Sequence, residues 1–289
     1  MNFIPMLLDE KKEPFNSSEY LFELKFDGTR TLIFVEPSKI KIVNKRGNIL
    51  NETYPELQSI KKLVNSKCIF DGEIVLMIDG KPSFKKLQER ALLKDKFKIS
   101  LIKKEFPVTF VCYDIIYEGK DLTELPLSQR KNILLKYPDT DFFVKTKFIL
   151  TYGEEFYKAI RKENLEGIVA KKLDSTYKIN KRSKDWIKIK NLKEEEFYII
   201  GYNEGKGVLA SILLGKTSKN KIVYVSNVTI GKNSPDFRLI KDLKKCKNIY
   251  DAPDEDYIFV EPNLKCIVAF MEKTKTDKLR QPIYKGVII

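Results

Sequence analysis

The chain has 289 residues, of which 43% are hydrophobic and 33% are charged, a composition typical of a globular protein with room for two domains. No apolar run approaches the roughly 20 residues that span a bilayer, and the N-terminus lacks the features of a secretion signal. We therefore expect a cytoplasmic protein that does not enter a membrane. The sequence contains no histidine and its four cysteines are widely separated, which argues against zinc sites and histidine acid-base chemistry.

The charge is strongly basic, with 54 lysines and arginines against 40 acidic residues and a formal net charge of +14. Phosphates attract such a surface because binding releases counterions, so a polyanionic partner is expected. Arginine is scarce in this lysine-rich chain, and each arginine is a candidate bidentate phosphate ligand. The arginines are Arg30, Arg46, Arg90, Arg130, Arg161, Arg182, Arg238 and Arg280.

Apolar runs rich in β-branched and aromatic residues predict seven strands before residue 190. They cover residues 20–24, 31–35, 40–43, 68–76, 108–116, 167–170 and 185–189. Stretches with helical spacing or helix-start signals predict helices at residues 55–65, 82–93, 127–137 and 153–164.

After Lys190 the pattern changes to short strands separated by glycine- or lysine-rich turns, with one helical candidate at residues 234–247. A five-stranded barrel of the oligonucleotide-binding (OB) type fits this pattern, and so does a generic small β domain. We predict two domains, residues 1–190 and 191–289.

The stretch ELKFDGTR, residues 23–30, places Lys25 where a strand runs into an Asp-Gly turn. Lys25 is either a surface lysine beside an ordinary turn or a nucleophile. An exposed lysine with a pKa near 10.4 is only about 0.04% neutral at pH 7. A nucleophilic lysine therefore requires burial or neighbouring cations that favour the neutral amine.

Five further stretches place chemically capable residues on or beside apolar strands. Each has a structural interpretation when taken singly, because strand-end carboxylates are commonly solvated and strand tyrosines commonly belong to the core. Lys188 and Lys190 share one face of their strand, since side chains alternate with period two. The stretches are FDGEIVLM with Glu73, PVTFVCYDIIY with Tyr113 and Asp114, LEGIVAKK with Glu166, DWIKIK with Lys188 and Lys190, and RQPIYKG with Arg280 and Lys285.

In this order and at these separations, the six motifs resemble the nucleotidyltransferase motifs of ATP-dependent DNA ligases, a superfamily shared with RNA ligases and mRNA-capping guanylyltransferases. The flanking text resembles the ligase module of bacterial DNA ligase D, from Pro5 to Gly286. The resemblance implies an α+β fold, in which a nucleotidyltransferase (adenylation) domain of antiparallel sheets with flanking helices precedes an OB-fold barrel. It also implies a hinge at residues 191–196.

The resemblance implies that Lys25 attacks the α-phosphorus of ATP and carries AMP as a phosphoramidate. Lys188 and Lys190 would contact the α-phosphate, and their charge would also favour the neutral amine of Lys25. Glu73 and Glu166 would contact the ribose and hold Mg²⁺ or Mn²⁺ through their carboxylate oxygens.

Further residues match family positions that bind the nucleotide or the DNA. Tyr113 would stack on the adenine and Glu23 would read it. Arg30 and Asp27 would lie beside the ribose or the nick, and Arg46 would hold a phosphate. Arg280 and Lys285 would orient the β- and γ-phosphates, and so would matter for enzyme adenylation more than for sealing.

The implied substrate is nicked or broken duplex DNA, gripped by lysines at residues 178–184 and by the barrel. We expect a monomer that works with separate end-joining or repair proteins. Two alternatives remain open. One is an RNA ligase or a capping-type nucleotidyltransferase, and the other is a non-catalytic nucleic-acid-binding protein, which the net charge of +14 would also fit.

Overall fold

The computed structural model describes residues 4–254, 256–274 and 276–288. The chain divides between Asn191 and Leu192 into two compact units. Within the described ranges, no helix has both the length and the apolar character needed to cross a membrane.

The first unit is built mainly from strands, which form two sheets. In the order β1-β12-β11-β2-β10, five strands form the first sheet; the second contains β4-β3-β5-β7-β8, with β6 on β5 and β9 on β7. The strands, in chain order, are β1 (Leu7–Glu10), β2 (Ser17–Leu24), β3 (Thr29–Val35), β4 (Ile40–Asn44), β5 (Cys68–Ile78), β6 (Lys81–Pro82), β7 (Val108–Glu118), β8 (Lys120–Asp121), β9 (Phe143–Lys145), β10 (Phe148–Thr151), β11 (Gly167–Lys172) and β12 (Arg182–Lys190).

The pairing is antiparallel, as expected, except that β1 runs parallel to β12 and β9 parallel to β7. β1 and β9 are short strands, of four and three residues, that enter the sheets at a distance from their partners in sequence. Such pairs cannot be joined by a tight turn, so they leave no hairpin signal.

Helices cover the sheets of the first unit. They are α1 (Phe84–Ala91), α2 (Lys96–Glu105), α3 (Leu127–Leu134) and α4 (Gly153–Lys162). The segment Pro55–Leu63, predicted as an ordinary helix, is a 3₁₀-helix. The sequence did not predict α2, which the Asp95 carboxylate caps by accepting hydrogen bonds from the backbone amides of Phe97 and Lys98.

Two buried ion pairs tie these helices to the second sheet. Arg130 of α3 binds Asp114 of β7 at 2.9 Å, with both side chains 0% exposed. Arg90 of α1 binds Glu56 at 2.6 Å, and Glu56 also accepts the backbone amide of Val108 at 3.0 Å. Because both guanidinium groups are buried against carboxylates, Arg90 and Arg130 are structural, and the prediction that they are candidate phosphate ligands is wrong.

The second unit is one curled sheet in the order β15-β14-β13-β17-β18, with short β16 on β13. The first and last strands, β15 and β18, approach each other, which gives the connectivity of an OB barrel. The described part of the unit has one helix, α5 (Pro235–Lys241), and Ser234 caps its N-terminus by accepting a hydrogen bond from the backbone amide of Phe237. The elements are β13 (Lys193–Asn203), β14 (Leu209–Ser218), β15 (Lys221–Gly231), α5 (Pro235–Lys241), β16 (Ile258–Phe259), β17 (Lys265–Phe270) and β18 (Ile283–Ile288).

Candidate active site

Lys25 lies immediately after β2, at one end of the first sheet. Its backbone amide donates to the carbonyl oxygen of Gly167 at 2.9 Å, and Gly167 is paired in register with Lys190 of β12. Its ammonium group is ion-paired with the Glu166 carboxylate. The fold thus brings Lys25 together with a carboxylate that lies 141 residues away in sequence.

The Asp27-Gly28 turn after Lys25 packs directly on β5. A Cβ atom at Gly28 would lie 2.3 Å from the carbonyl oxygen of Ile74 and 2.7 Å from Cγ of Glu73. Only glycine therefore allows this approach. The glycine of the Lys-x-Asp-Gly motif places Lys25 close to the strand that carries Glu73.

Glu73 faces Arg30 across the β3-β5 pair. Burial raises the pKa of the Glu73 carboxyl to about 8, and Lys25 and Arg30 oppose this rise while Glu166 adds to it. Tyr113 of β7 donates its hydroxyl to Oε2 of Glu73 at 3.4 Å. The two sheets therefore place Lys25, Glu73 and Glu166 within one electrostatic cluster.

Arg30 is held by a partner that the sequence analysis did not identify as a site residue. Its guanidinium binds the Asp71 carboxylate through two hydrogen bonds of 2.7 and 3.2 Å. Asp71 is fully buried and also accepts the hydroxyl of Tyr177 at 2.7 Å. This arrangement fixes the direction of the Arg30 side chain.

Lys188 and Lys190 both pair with Glu10, a carboxylate that the sequence analysis did not identify as a site residue. Glu10 of β1 lies 3.0 Å from Nζ of Lys188 and 3.2 Å from Nζ of Lys190. Burial raises the pKa of Glu10, but hydrogen bonds and charge from the two lysines outweigh it, and the net result is a lowered pKa. The parallel β1-β12 pair produces this contact.

Glu23, two residues before Lys25, is buried and contacts two lysines. Its Oε1 accepts from Lys131 of α3, and its Oε2 lies 2.6 Å from Nζ of Lys171. The Lys171 ammonium lies 4.2 Å from the ring centre of Tyr113 and 4.1 Å from that of Trp186. Burial lowers the pKa of Lys171 to about 8 against the opposing effect of Glu23.

Arg46 lies in the exposed turn after β4. Its backbone amide donates to Oδ1 of Asn44 at 3.0 Å. Arg46 lines a groove of about 670 Å³ on the β3-β4 side of the first unit. The groove's other lining residues are Ile4, Phe34, Val35, Glu36, Lys39, Ile40, Lys41, Val43, Lys45, Gly47, Lys67 and Ile69.

Arg280 and Lys285 belong to the second unit. Arg280 pairs with Glu272 at 3.0 Å and Lys285 with Glu194 at 3.3 Å. Asp27 lies in the turn between β2 and β3 of the first unit.

The donor set at Lys25 suits a small hard cation. Glu73 and Glu166 present carboxylate oxygens, and their charges interact. Within the part of the chain that the structure describes, no cluster of three or more metal-ligating side chains occurs. Mg²⁺ fits such a site because it commonly binds one or two carboxylates together with substrate phosphates and water.

Comparison with known proteins assigns the class. Residues 5–190 match the family model described as ATP dependent DNA ligase domain. The chain is 31% identical to the SPbeta prophage-derived DNA ligase-like protein LigB of Bacillus subtilis, over 98% of this chain and 97% of LigB. The chain therefore belongs to the ATP-dependent DNA ligase family and is an enzyme of that family.

Other relatives are longer, and solved structures share the fold. The chain is 28% identical to the multifunctional non-homologous end joining protein LigD of Mycolicibacterium smegmatis, covering 99% of this chain but 38% of LigD. A mycobacterial DNA ligase D complexed with ATP and MES superposes with a TM-score of 0.61 at 22% identity, covering 99% of this chain and 95% of that one. A Lig E DNA ligase gives 0.65 at 17% identity, covering 99% and 100%. These matches confirm the predicted fold class.

Proposed function

We propose that the chain seals 5′-phosphate/3′-hydroxyl breaks in duplex DNA through a lysyl-AMP on Lys25 and a DNA-adenylate. The observation that carries this proposal is the contact between Lys25 and Glu166 beside Glu73. The proton that Lys25 must lose lies against the Glu166 carboxylate, which is positioned to accept it. A nucleophile and its proton acceptor are thus already in contact.

The first step forms a bond between Nζ of Lys25 and the α-phosphorus of ATP. The bond to the bridging oxygen breaks, and pyrophosphate leaves with the electron pair. Lys188 and Lys190 are proposed to neutralise charge that develops on the α-phosphate, and Arg280 and Lys285 to orient the β- and γ-phosphates. A Mg²⁺ held by Glu73 and Glu166 would neutralise further phosphate charge.

The nucleoside is proposed to lie between the two sheets of the first unit. Tyr113 provides an aromatic surface for the adenine, and the buried Glu23 accepts a hydrogen bond from the base. Arg30 and Asp27 are proposed to lie beside the ribose or the nick. Arg46, on the exposed rim of the groove, is proposed to bind a DNA phosphate.

In the second step, an oxygen of the DNA 5′-phosphate attacks the phosphorus of lysyl-AMP, and the P–N bond breaks to regenerate Lys25. In the third, the 3′-hydroxyl attacks the 5′-phosphorus and AMP departs. The names of the LigD relatives support a role in end joining, so we include end-joining or repair proteins as proposed partners of a monomeric enzyme. A hinge at residues 191–196 would let the second unit take different positions in these steps.

Intact-mass measurement tests the chemistry directly. Incubation with ATP should add about 329 Da, which corresponds to AMP minus water in a phosphoramidate, and nicked duplex DNA should remove it. An adduct with GTP but not with ATP would favour the capping-type alternative, and sealing of nicked RNA but not of nicked DNA would favour an RNA ligase. DNA binding without any adduct would favour the non-catalytic alternative.

A further inference from the structure

Lys131 lies in none of the six motifs, although it ends the flanking stretch GKDLTELPLSQRK that also resembles the family. It reaches Glu23, a buried carboxylate two residues before Lys25. It is the fifth residue of α3 (Leu127–Leu134). Its side chain is 6% exposed, and its ammonium group contacts Oε1 of Glu23. Burying a lysine is costly unless a partner compensates for the lost hydration, so the contact is the reason that Lys131 can occupy this place.

Glu23 consequently has both oxygens occupied by cations. Lys131 contacts Oε1, and Lys171 lies 2.6 Å from Oε2. Two ammonium groups, one at each oxygen, hold the carboxylate in one orientation. A carboxylate paired in this way accepts hydrogen bonds and has none to donate.

We propose that Lys131 is a positioning residue for selection of the nucleobase. By holding the Glu23 carboxylate in a fixed orientation as an acceptor, Lys131 makes the site accept a purine with an amino group at position 6 and reject one with a carbonyl oxygen there. The amino group of ATP donates to Glu23, whereas the oxygen of inosine triphosphate would face a second acceptor, and neither would be satisfied. The inference rests on the proposed function, in which Glu23 reads the base.

Lys131 is a better test of this arrangement than Lys171. The Lys171 ammonium lies between the rings of Tyr113 and Trp186, so its removal would also disturb the proposed adenine-stacking surface. Lys131 comes from a helix outside the two sheets, and its ammonium is 5.5 Å from the ring centre of Phe148. Lys131→Met leaves Glu23 paired one to one with Lys171, so no unpaired buried charge remains.

The experiment measures kcat/KM of adduct formation with ATP and with inosine triphosphate. The measurements form a double-mutant cycle of wild type, Lys131→Met, Glu23→Gln and the double variant. Lys131→Met should lower the ATP-to-inosine preference by about tenfold or more, mainly through KM. Glu23→Gln should lower it as well, because an amide can donate to the carbonyl oxygen. The double variant should match Glu23→Gln, since Lys131 acts through Glu23.

Two control variants accompany the cycle. Lys131→Arg keeps the charge and should keep the preference within about threefold of wild type, although its planar group does not reproduce lysine fully. Lys136→Met replaces an exposed lysine just after α3 and should leave the preference unchanged. Thermal unfolding of each variant checks folding; if Lys131→Met does not fold, Lys131→Gln replaces it with the same expected result.

An unchanged preference in Lys131→Met would overturn the inference. A double variant with a lower ATP-to-inosine preference than Glu23→Gln, reduced by the same factor that Lys131→Met shows alone, would also overturn it. Lys131 would then act independently of Glu23. Loss of reaction with both nucleotides in a folded Lys131→Met would overturn it too. Wild type that forms no adduct with ATP would instead overturn the proposed function, and this inference with it.

Discussion

The two units of the chain differ in where they keep their charges. In the described part of the first unit, residues 4–191, eight charged side chains are buried, namely Glu23, Glu56, Asp71, Arg90, Asp114, Arg130, Lys131 and Lys171. Among the described residues of the second unit, no charged side chain is buried. The ion pairs of the second unit, such as Lys265 with Glu196, lie at the surface.

The buried charges of the first unit are of two kinds. Asp114–Arg130 and Glu56–Arg90 are pairs of one acid and one base, completed by backbone hydrogen bonds. The group around Lys25 is uneven, with two lysines on Glu23 and two lysines on Glu10. Balanced pairs hold elements together, whereas an excess of cations beside a nucleophile provides for a phosphate that arrives later.

The largest effect should come from the nucleophile. Lys25→Ala should lower the rate of adduct formation with ATP by at least about a thousandfold, because a covalent intermediate cannot form without its attacking atom. Intact mass measures the adduct. Lys12→Ala removes an exposed lysine near the N-terminus and should leave the rate unchanged. A Lys25→Ala protein that still acquires AMP would show that another residue is the nucleophile.

Breaking a balanced buried ion pair should lower the stability of the fold strongly. It should affect catalysis only through that loss of stability. Arg130→Met leaves Asp114 buried and unpaired, and should lower the free energy of unfolding by about 3–5 kcal/mol. Urea unfolding measures this change. Arg161→Met, on the exposed side of α4, should change stability by less than about 0.5 kcal/mol. Equal changes in the two variants would contradict the structural role of Arg130.

Substitutions in the second unit should slow enzyme adenylation much more than the sealing of a nick. Arg280→Ala and Lys285→Ala should each slow adduct formation with ATP by about tenfold to a hundredfold, if they orient the departing pyrophosphate. Sealing of a nick that is already adenylated should change far less, since no pyrophosphate leaves in that step. Equal slowing of both reactions would assign these residues to the DNA instead.

Glu73 should make the stability of the nucleotide-free protein depend on pH. Its pKa is about 8 in the folded protein and 4.5 in the reference state. Between these values the folded state binds the proton and the unfolded state does not, so stability is greatest at low pH and falls as pH rises towards 8. Melting temperature should therefore fall less over this interval in Glu73→Gln than in wild type. Identical slopes would contradict the raised pKa.

The smallest effect is expected for a surface pair of the second unit. Lys265 lies 3.3 Å from Glu196, and its side chain is 41% exposed. Lys265→Met should change the free energy of unfolding by less than about 1 kcal/mol, because exposed pairs are screened by water and salt. A loss comparable to that of Arg130→Met would remove the contrast between the units.

The sequence alone predicted the main strands and the site residues that lie on them or directly beside them. Strands β2, β3, β5 and β7 have long β-branched and aromatic runs, and Lys25, Glu73 and Tyr113 lie on or next to these. Glu10 was missed because its strand, LLDE, has four residues without alternation and pairs with β12 from a distant part of the chain. Helix α2 was missed because its apolar residues do not share one face: Ile99 is buried, whereas Phe97 and Leu101 are exposed, so the sequence lacks the usual amphipathic pattern.

Asp71 and Lys131 could not have been identified from local pattern. Asp71 precedes the glycine of FDGEIV and resembles a turn residue, and its contacts with Arg30 and Tyr177 depend on three separate segments. Lys131 is one of many lysines, and only the packing of α3 distinguishes it. These side chains acquire their roles from tertiary structure.

The position of Trp186 has a practical consequence. It is the only tryptophan in the chain, it is fully buried, and the Lys171 ammonium lies 4.1 Å from its ring centre. That ammonium also lies on the face of Tyr113, the proposed adenine platform. Indole emission responds to nearby charge, so the intrinsic fluorescence of the protein should report nucleotide arrival in real time, without a label and without catalysis.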